Sequence, residues 1–148
     1  MSSFSPIIEN RKARYEYEIL ETLETGIELK GTEVKSLRLG KASFSGSYCQ
    51  VERGELWIYD FHISPYEQGN IFNLDPKRKR RLLAHRSEIL RLYNAVKRKG
   101  LTLIPLKLYW KRGIAKVQVG LARGKKLYDK RETIKKRTME KESRRGEY

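Results

Sequence analysis

Apolar and polar residues alternate along most of the chain, and a period of two predicts strands. Tyr15, Tyr17 and Ile19 alternate with Glu16, Glu18 and Leu20, and after Thr25-Gly26 the pattern resumes at Ile27 and Leu29. Residues 14–30 are therefore expected as two strands or one bent strand. Segments 47–52 and 55–63 are rich in Tyr, Val, Trp, Ile and Phe and flank Arg53-Gly54, which reads as a hairpin. Segments 101–110 and 114–121 flank Lys111-Arg112-Gly113, and Val117, Val119 and Leu121 alternate there with Lys116, Gln118 and Gly120, a second hairpin with one apolar face. Trp57, Tyr59 and Phe61 alternate along one strand and are expected in the core.

Two segments change period. Thr32 as N-cap, Gly40 as C′ residue, and Val34 and Leu37 one helical step apart predict a short helix over 32–39. Ile89, Leu92, Tyr93 and Val96 on one side, against Ser87, Arg91, Asn94 and Arg98, predict a longer helix ending at Gly100. Short antiparallel strands with a helix between the hairpins lead us to expect a mainly β protein. The expected form is a small closed antiparallel barrel of the oligonucleotide-binding type with flanking helices. Near Gly120 the alternation gives way to a polar end. From residue 121 to 148 there are 11 Lys/Arg, 5 Asp/Glu and only seven hydrophobic residues among 28, too few to offset the entropy of ordering. The expected division is a barrel over 1–122 and a flexible basic C-terminal tail over 123–148.

Charge adds a partner to this picture. The 148 residues carry 33 Lys+Arg against 18 Asp+Glu, a net +15, which calls for a polyanion. No apolar run approaches the roughly 20 residues that cross a bilayer. The opening Met1-Ser2-Ser3-Phe4-Ser5-Pro6 lacks the charged-then-apolar order of a secretory signal, so a cytoplasmic protein with no membrane partner, monomeric when free, is expected. One cysteine, Cys49, and two histidines, His62 and His85, do not make a zinc site of the usual composition, so no metal or cofactor is expected. The histidines are read as structural or as part of an RNA-binding surface. Gly120-Leu121-Ala122-Arg123-Gly124-Lys125-Lys126 imitates a phosphate-binding loop, but it has three residues between glycines where four are needed, and Lys126 stands where a Ser/Thr would hold magnesium. With no nucleophile elbow or zinc-protease helix either, an enzyme is not expected.

The positive signal is clustered cations. Lys77-Arg78-Lys79-Arg80-Arg81 is an unbroken run, and residues 75–100 hold ten Lys/Arg against two acids. Arg11-Lys12-Ala13-Arg14, Lys35 with Arg38 and Lys41, and Arg123-Gly124-Lys125-Lys126 extend the pattern. A single run would read as a solvated face, whereas four together read as nucleic-acid binding. Aromatics among the charges suit bases that are splayed out or terminal, Tyr128 in the polar tail above all.

The motifs also carry a resemblance. Asn10-Arg11-Lys12-Ala13-Arg14, Gly31-Thr32-Glu33-Val34-Lys35-Ser36-Leu37-Arg38 with Gly40-Lys41-Ala42, Leu101-Thr102-Leu103-Ile104-Pro105-Leu106-Lys107-Leu108-Tyr109, and residues 120–131 occur in an order that resembles the SmpB family, the tmRNA-binding proteins of bacterial trans-translation. The resemblance covers about residues 10–132. It implies binding to the tRNA-like domain of tmRNA and delivery of that RNA to ribosomes stalled on truncated messages, with no bond made or broken by the protein. By that resemblance Glu24, Leu83 and Lys116 match RNA-contact positions, and the basic residues Arg11, Lys12, Arg14, Lys35, Arg38, Lys41, Arg78 and Lys79 join them as candidates. Glu24 has an alternative role as cross-strand partner of a nearby Lys or Arg. The resemblance further implies that Gly124, Lys125 and Lys126 form a hinge near the decoding centre. Tyr128, Asp129, Lys130, Arg131, Lys135, Lys136 and Arg137 would then follow as a tail against small-subunit rRNA and the empty message channel. Tyr128 stands where many members carry His, so imidazole protonation is not required there. A general ribosome-associated or single-stranded nucleic-acid-binding module of the same barrel type is the competing reading, and an RNA-modifying enzyme a weaker one.

Overall fold

Strand alternation and two tight turns set the topology. The computed structural model describes residues 6–66 and 75–124. In chain order the elements are β1 (Ile8–Glu9), α1 (Arg11–Glu16), β2 (Tyr17–Ile27), α2 (Gly31–Arg38), β3 (Ala42–Ser43), β4 (Tyr48–Glu52), β5 (Glu55–Tyr59), β6 (His62–Ile63), β7 (Arg80–Leu83), α3 (Arg86–Lys99), β8 (Thr102–Lys111) and β9 (Ile114–Gly124). Seven strands form one antiparallel sheet in the order β1-β8-β4-β5-β7-β2-β9, and β8 also pairs with β9, so the sheet closes on itself. The small β3–β6 pair lies outside it.

Both hairpins turn as the sequence predicts. Arg53 and Gly54 have φ of 51° and 79°, Arg112 and Gly113 54° and 78°, the left-handed pairs whose twist matches the flanking strands. Gly100, at φ 64°, ends α3 as a left-handed cap. Inward residues of the strands, Leu56, Ile58, Leu82, Leu108, Val117 and Val119, fill the core with Phe44, Phe61 and Leu37. α3 adds Ile89 and Leu92 and is tied to β2 by an Arg91–Glu21 ion pair. α2 lies at the other end of β2, where Ser36 donates to the Ser64 carbonyl at 2.7 Å and Arg38 reaches the Gly113 carbonyl at 3.3 Å.

Three expectations change. Residues 14–16 belong to α1 rather than to a strand, because Ala13 packs into a satellite cluster with Ile104, Leu106 and Ala122 on the outside of the sheet. Six residues are too short a window for periodicity to separate helix from strand, and packing decides. Of the two forms expected for this segment, β2 takes that of one bent strand, with a register shift between Ile19 and Glu21 that turns Ile19 toward that cluster. Lys30, not Thr32, is the N-cap of α2, and its N–H donates to Glu33 at 2.9 Å. Trp57 and Tyr59 point outward and only Phe61 is core: β5 ends at Tyr59, and Asp60, at φ 56°, inverts the alternation.

The polar end also begins later than the composition shift. β9 runs past Gly120 to Gly124, with Leu121 and Ala122 buried. A Cβ on Gly120 would stand 3.0 Å from Leu106 Cδ1, so glycine there permits the close approach of the satellite cluster.

One charged side chain occupies an inward position. Arg80 pairs in register with Ile58, between Leu82 and the chain entering β7, and is 1% exposed. Its Nε donates to Glu33 at 2.8 Å, its Nη1 to the Phe61 carbonyl at 2.7 Å and to the Arg78 carbonyl at 3.1 Å, and its Nη2 to the Pro76 carbonyl at 3.1 Å. Arg78 grips the same carboxylate with Nε and Nη2 at 2.9 and 2.8 Å. Burial pushes the Glu33 carboxyl up, but the hydrogen bonds from Arg78, Arg80 and the Lys30 N–H outweigh it, and the group titrates below its ordinary value.

Removing one partner strands a buried charge. Glu33→Gln is expected to cost about 3–5 kcal/mol of unfolding free energy, read from urea titrations. Because the folded carboxyl is depressed below 4.5, its contribution is complete above that pH and disappears as pH falls through the folded value. The stability gap between Glu33→Gln and the parent should therefore narrow in acid, and a constant gap from pH 7 to pH 3 would contradict the assignment.

Candidate nucleic-acid interface

The outer face of β9, β2 and β7 gathers three of the candidates in one row. Gly26 pairs with Lys116 on one side and Leu83 on the other, so the outward side chains of Lys116 and Leu83 flank a position with no side chain. Glu24, two residues along β2, shares that face and pairs in register with Gln118. On β8, Tyr109 stands opposite Lys116 and Lys107 opposite Gln118, which carries the face onward. Leu83 is 44% exposed, an aliphatic side chain left in water amid polar neighbours.

Glu24 is held in place. The Tyr109 hydroxyl donates to its carboxylate at 2.5 Å and Lys111 Nζ lies 3.4 Å away. The Tyr109 hydrogen bond, then Lys111 and Lys116, keep the Glu24 carboxyl below its ordinary value. Burial and then Glu24 itself raise the Tyr109 phenol to about 12. The cross-strand role is thus present in the free protein, and one carboxylate still has acceptor capacity beyond these contacts. Gln118 Oε1, shielded from water in the same row, accepts no hydrogen bond among the described residues.

Other candidate cations lie on and just after α2. The Arg38 guanidinium lies 4.3 Å from the Trp110 ring centre and bonds the turn that joins β8 to β9. Lys35 Nζ is 5.5 Å from the Tyr66 ring centre, and Lys41 is exposed just beyond the helix. Arg11 and Lys12 are elsewhere. They are exposed on α1 and line a groove of about 510 Å³ against Ser43, Ser45 and Gly46, with Glu9 and Glu16 also in its wall. Arg14 is exposed on the same helix.

The basic run needs a different account from the one its composition suggests. Of its five cations, Arg78 and Arg80 hold Glu33, Lys79 reaches Glu52 at 3.3 Å, and Arg81 bridges Glu28 at 2.7 Å and Glu55 at 2.9 Å. Acids distant in sequence, on α2, just after β2 and on the β4–β5 hairpin, neutralise what looks unpaired in the chain. Lys79 also sits 4.4 Å from the outward Trp57 ring centre, and Tyr59, whose hydroxyl bonds Glu52, stacks on Tyr48 with centroids 5.1 Å apart. Strand parity of Lys107, Tyr109 and Lys111 against Leu108 was the available sign that Tyr109 belongs to the row. The Glu24 contact itself joins residues 85 apart and has no local signature.

Gly124 is the last residue of β9. Lys125, Lys126, Tyr128, Asp129, Lys130, Arg131, Lys135, Lys136 and Arg137 lie outside the described residues. Among the described residues no three His, Cys, Asp or Glu side chains gather as metal ligands, and no helix is long and apolar enough to cross a membrane. Cys49 is buried with its thiol raised well above the ordinary value by burial. His62 lies in β6 and His85 is the N-cap of α3.

The family model "SmpB protein" matches residues 7–147. The chain belongs to the SmpB family. The SsrA-binding protein of Carboxydothermus hydrogenoformans is 60% identical over 131 residues, 88% of each chain. That of Thermus thermophilus is 59% identical over 133 residues, covering 89% of this chain and 92% of the relative. A solved chain described as "tmRNA-SmpB: a journey to the center of the bacterial ribosome" superposes with a TM-score of 0.70 at 60% identity, over 84% of this chain and 88% of that one. The SmpB family membership agrees with the resemblance carried by the motifs.

The geometry makes a spectroscopic prediction. Glu24→Gln removes the anion beside Tyr109, so ultraviolet titration should show one tyrosine ionising earlier, below about 12, while the fold is retained. An unchanged tyrosine titration would mean that the Glu24–Tyr109 bond does not form in solution.

Proposed function

We infer that this SmpB-family chain binds the tRNA-like domain of tmRNA and delivers it to ribosomes stalled on truncated mRNA. Family membership and the solved tmRNA-SmpB relative support this directly. The observation that carries the site is the convergence of Glu24, Leu83 and Lys116 from three strands onto one outward row. Lys116 supplies a phosphate partner, Leu83 an apolar contact for a ribose or base face, and Glu24 an acceptor for a 2′-hydroxyl or base amino group. Tyr109 and Lys111 hold that carboxylate oriented before RNA arrives. Arg38, Lys35 and Lys41 widen the cationic rim on one side; Arg11, Lys12 and Arg14 are the basic residues of another. Arg78 contributes through Glu33, and Lys79 through both Glu52 and the Trp57 ring.

In this reading the closed sheet is a barrel of the oligonucleotide-binding type, residues 1–122 grip the RNA, and residues 123–148 act on the ribosome. Gly124, Lys125 and Lys126 serve as hinge, and the following basic positions meet rRNA along the decoding centre and message channel. The protein works in the cytoplasm, with no cofactor and no catalytic step.

Three measurements test this. Affinity should favour a tRNA-shaped RNA over an unstructured strand of equal charge; equal affinity would return the protein to a general nucleic-acid-binding module. Neutralising about six phosphates predicts a roughly thousandfold loss between 50 and 200 mM salt, and Lys116→Ala should lower the logarithmic slope by about 0.9 if Lys116 meets a phosphate. Deleting residues 130–148 should leave affinity for tmRNA nearly intact while abolishing tagging on stalled ribosomes; a large loss of RNA affinity would overturn the division of labour.

A further inference from the structure

α3 presents a surface that the RNA row leaves unused. Leu90 is 57% exposed and Tyr93 38%, on a helix that also buries Ile89 and Leu92 in the core. Both face a groove of about 520 Å³ between the helix and the β4–β5 hairpin, walled by Val51, Ile89, Arg53 and Arg86. The groove continues in both directions. Past Gly54, Arg86 and Ile89 it runs into a space of about 190 Å³ beside Leu83, and past Val51 and Tyr93 into one of about 450 Å³ beside Leu103. It follows most of a 14-residue helix, about 21 Å long.

Its floor and rim differ in character. Val51, Ile89, Leu90 and Tyr93 are apolar, and Arg53, Arg86 and Lys97 supply charge. Along the middle and the Leu103 end no carboxylate lines the groove among the described residues. Glu55, at the Leu83 end, is already bonded to Arg81 at 2.9 Å. An RNA strand would satisfy the cations but leave Leu90 and Val51 in water, and one face of Tyr93 already carries Lys97 at 5.5 Å. A second copy, or the chain's own C-terminal segment with its net charge of +6 over residues 121–148, would bring cations against cations. Only a partner that is acidic and carries apolar anchors matches both features.

We propose that the groove between α3 and the β4–β5 hairpin docks an acidic segment of a partner protein. Its aliphatic or aromatic anchors cover Val51, Leu90 and Tyr93, and its carboxylates meet Arg53, Arg86 and Lys97. Because Leu83 borders both the groove and the RNA row, the partner would sit beside bound RNA rather than in place of it.

The test uses the full chain, ¹⁵N-labelled, with fluorescent peptides of about 14 residues, the length that α3 can accommodate. Two pair Glu with Leu, one at helical and one at alternating spacing; one has the same charge without Leu, and one replaces Glu by Lys. A U-rich RNA 12-mer is the nucleic-acid probe. The expected result is that one patterned peptide shifts the amides of Val51, Leu90 and Tyr93, with both control peptides at least about tenfold weaker. Leu90→Ser, a change at an exposed position, should weaken that peptide about fivefold or more while affinity for a tRNA-like RNA stays within about twofold. Arg86→Glu, in the first helical turn where an acid is well tolerated, should do the same to the peptide. The proposal is overturned if neither patterned peptide moves those amides, if the charge-only peptide binds equally, if the RNA 12-mer displaces the peptide, or if the groove proves to be covered by a second copy in a concentration-dependent dimer. Measuring RNA affinity on the same samples keeps failure of this proposal distinct from failure of the RNA reading.

Discussion

Arg80 is a cation at an inward strand position, and the closed sheet tolerates it only because Glu33 arrives from α2. The guanidinium also takes the Phe61, Arg78 and Pro76 carbonyls, so one side chain connects the β5–β6 junction, the entry to β7 and the N-terminal turn of α2. A buried ion pair of this kind gives modest net stability relative to an apolar replacement, but it is intolerant of losing one member. That intolerance fixes where α2 lies. The helix position in turn sets Arg38 against Trp110 and the β8–β9 turn, next to the Lys116 face.

The same economy of charge runs across the outer face. A protein with a net +15 has cations to spare, yet most of those in the basic run are paired with Glu28, Glu33, Glu52 and Glu55. The exposed pairs among these, those with Glu28, Glu52 and Glu55, contribute little to stability in water. Their consequence is positional, since they orient long side chains that would otherwise sample many rotamers. Glu24 follows this logic with opposite polarity: Tyr109 and Lys111 restrain an acid within a basic surface, leaving acceptor capacity pointed outward.

Two kinds of surface coexist on this small body. The row through Lys116, Gly26 and Leu83 joins a cation to an exposed aliphatic side chain beside the Glu24 carboxylate, features suited to phosphates and ribose. The α3 groove is concave and has an aliphatic floor, features suited to side chains of another protein. They meet at Leu83, so events on one face are physically adjacent to the other without sharing most of their residues.

Local chemistry made much of this protein legible in the chain. Arg53-Gly54 and Arg112-Gly113 announced hairpins because few residue pairs accept consecutive left-handed conformations, and Gly100 announced the end of α3 for the same reason. Alternation placed Val117, Val119, Lys116 and Gln118 on their faces, and the ordered motifs gave the family. Tertiary structure decided what depends on contacts between residues far apart. Whether Arg80 meets RNA or Glu33, 47 residues away, is not encoded in its neighbours. Asp60 put Phe61 on the face opposite Trp57 and Tyr59 through one backbone angle, and Ala13 made a helix of a segment whose own pattern was ambiguous. Period and turn preference are properties of a few adjacent residues, whereas charge pairing and burial belong to the closed sheet as a whole.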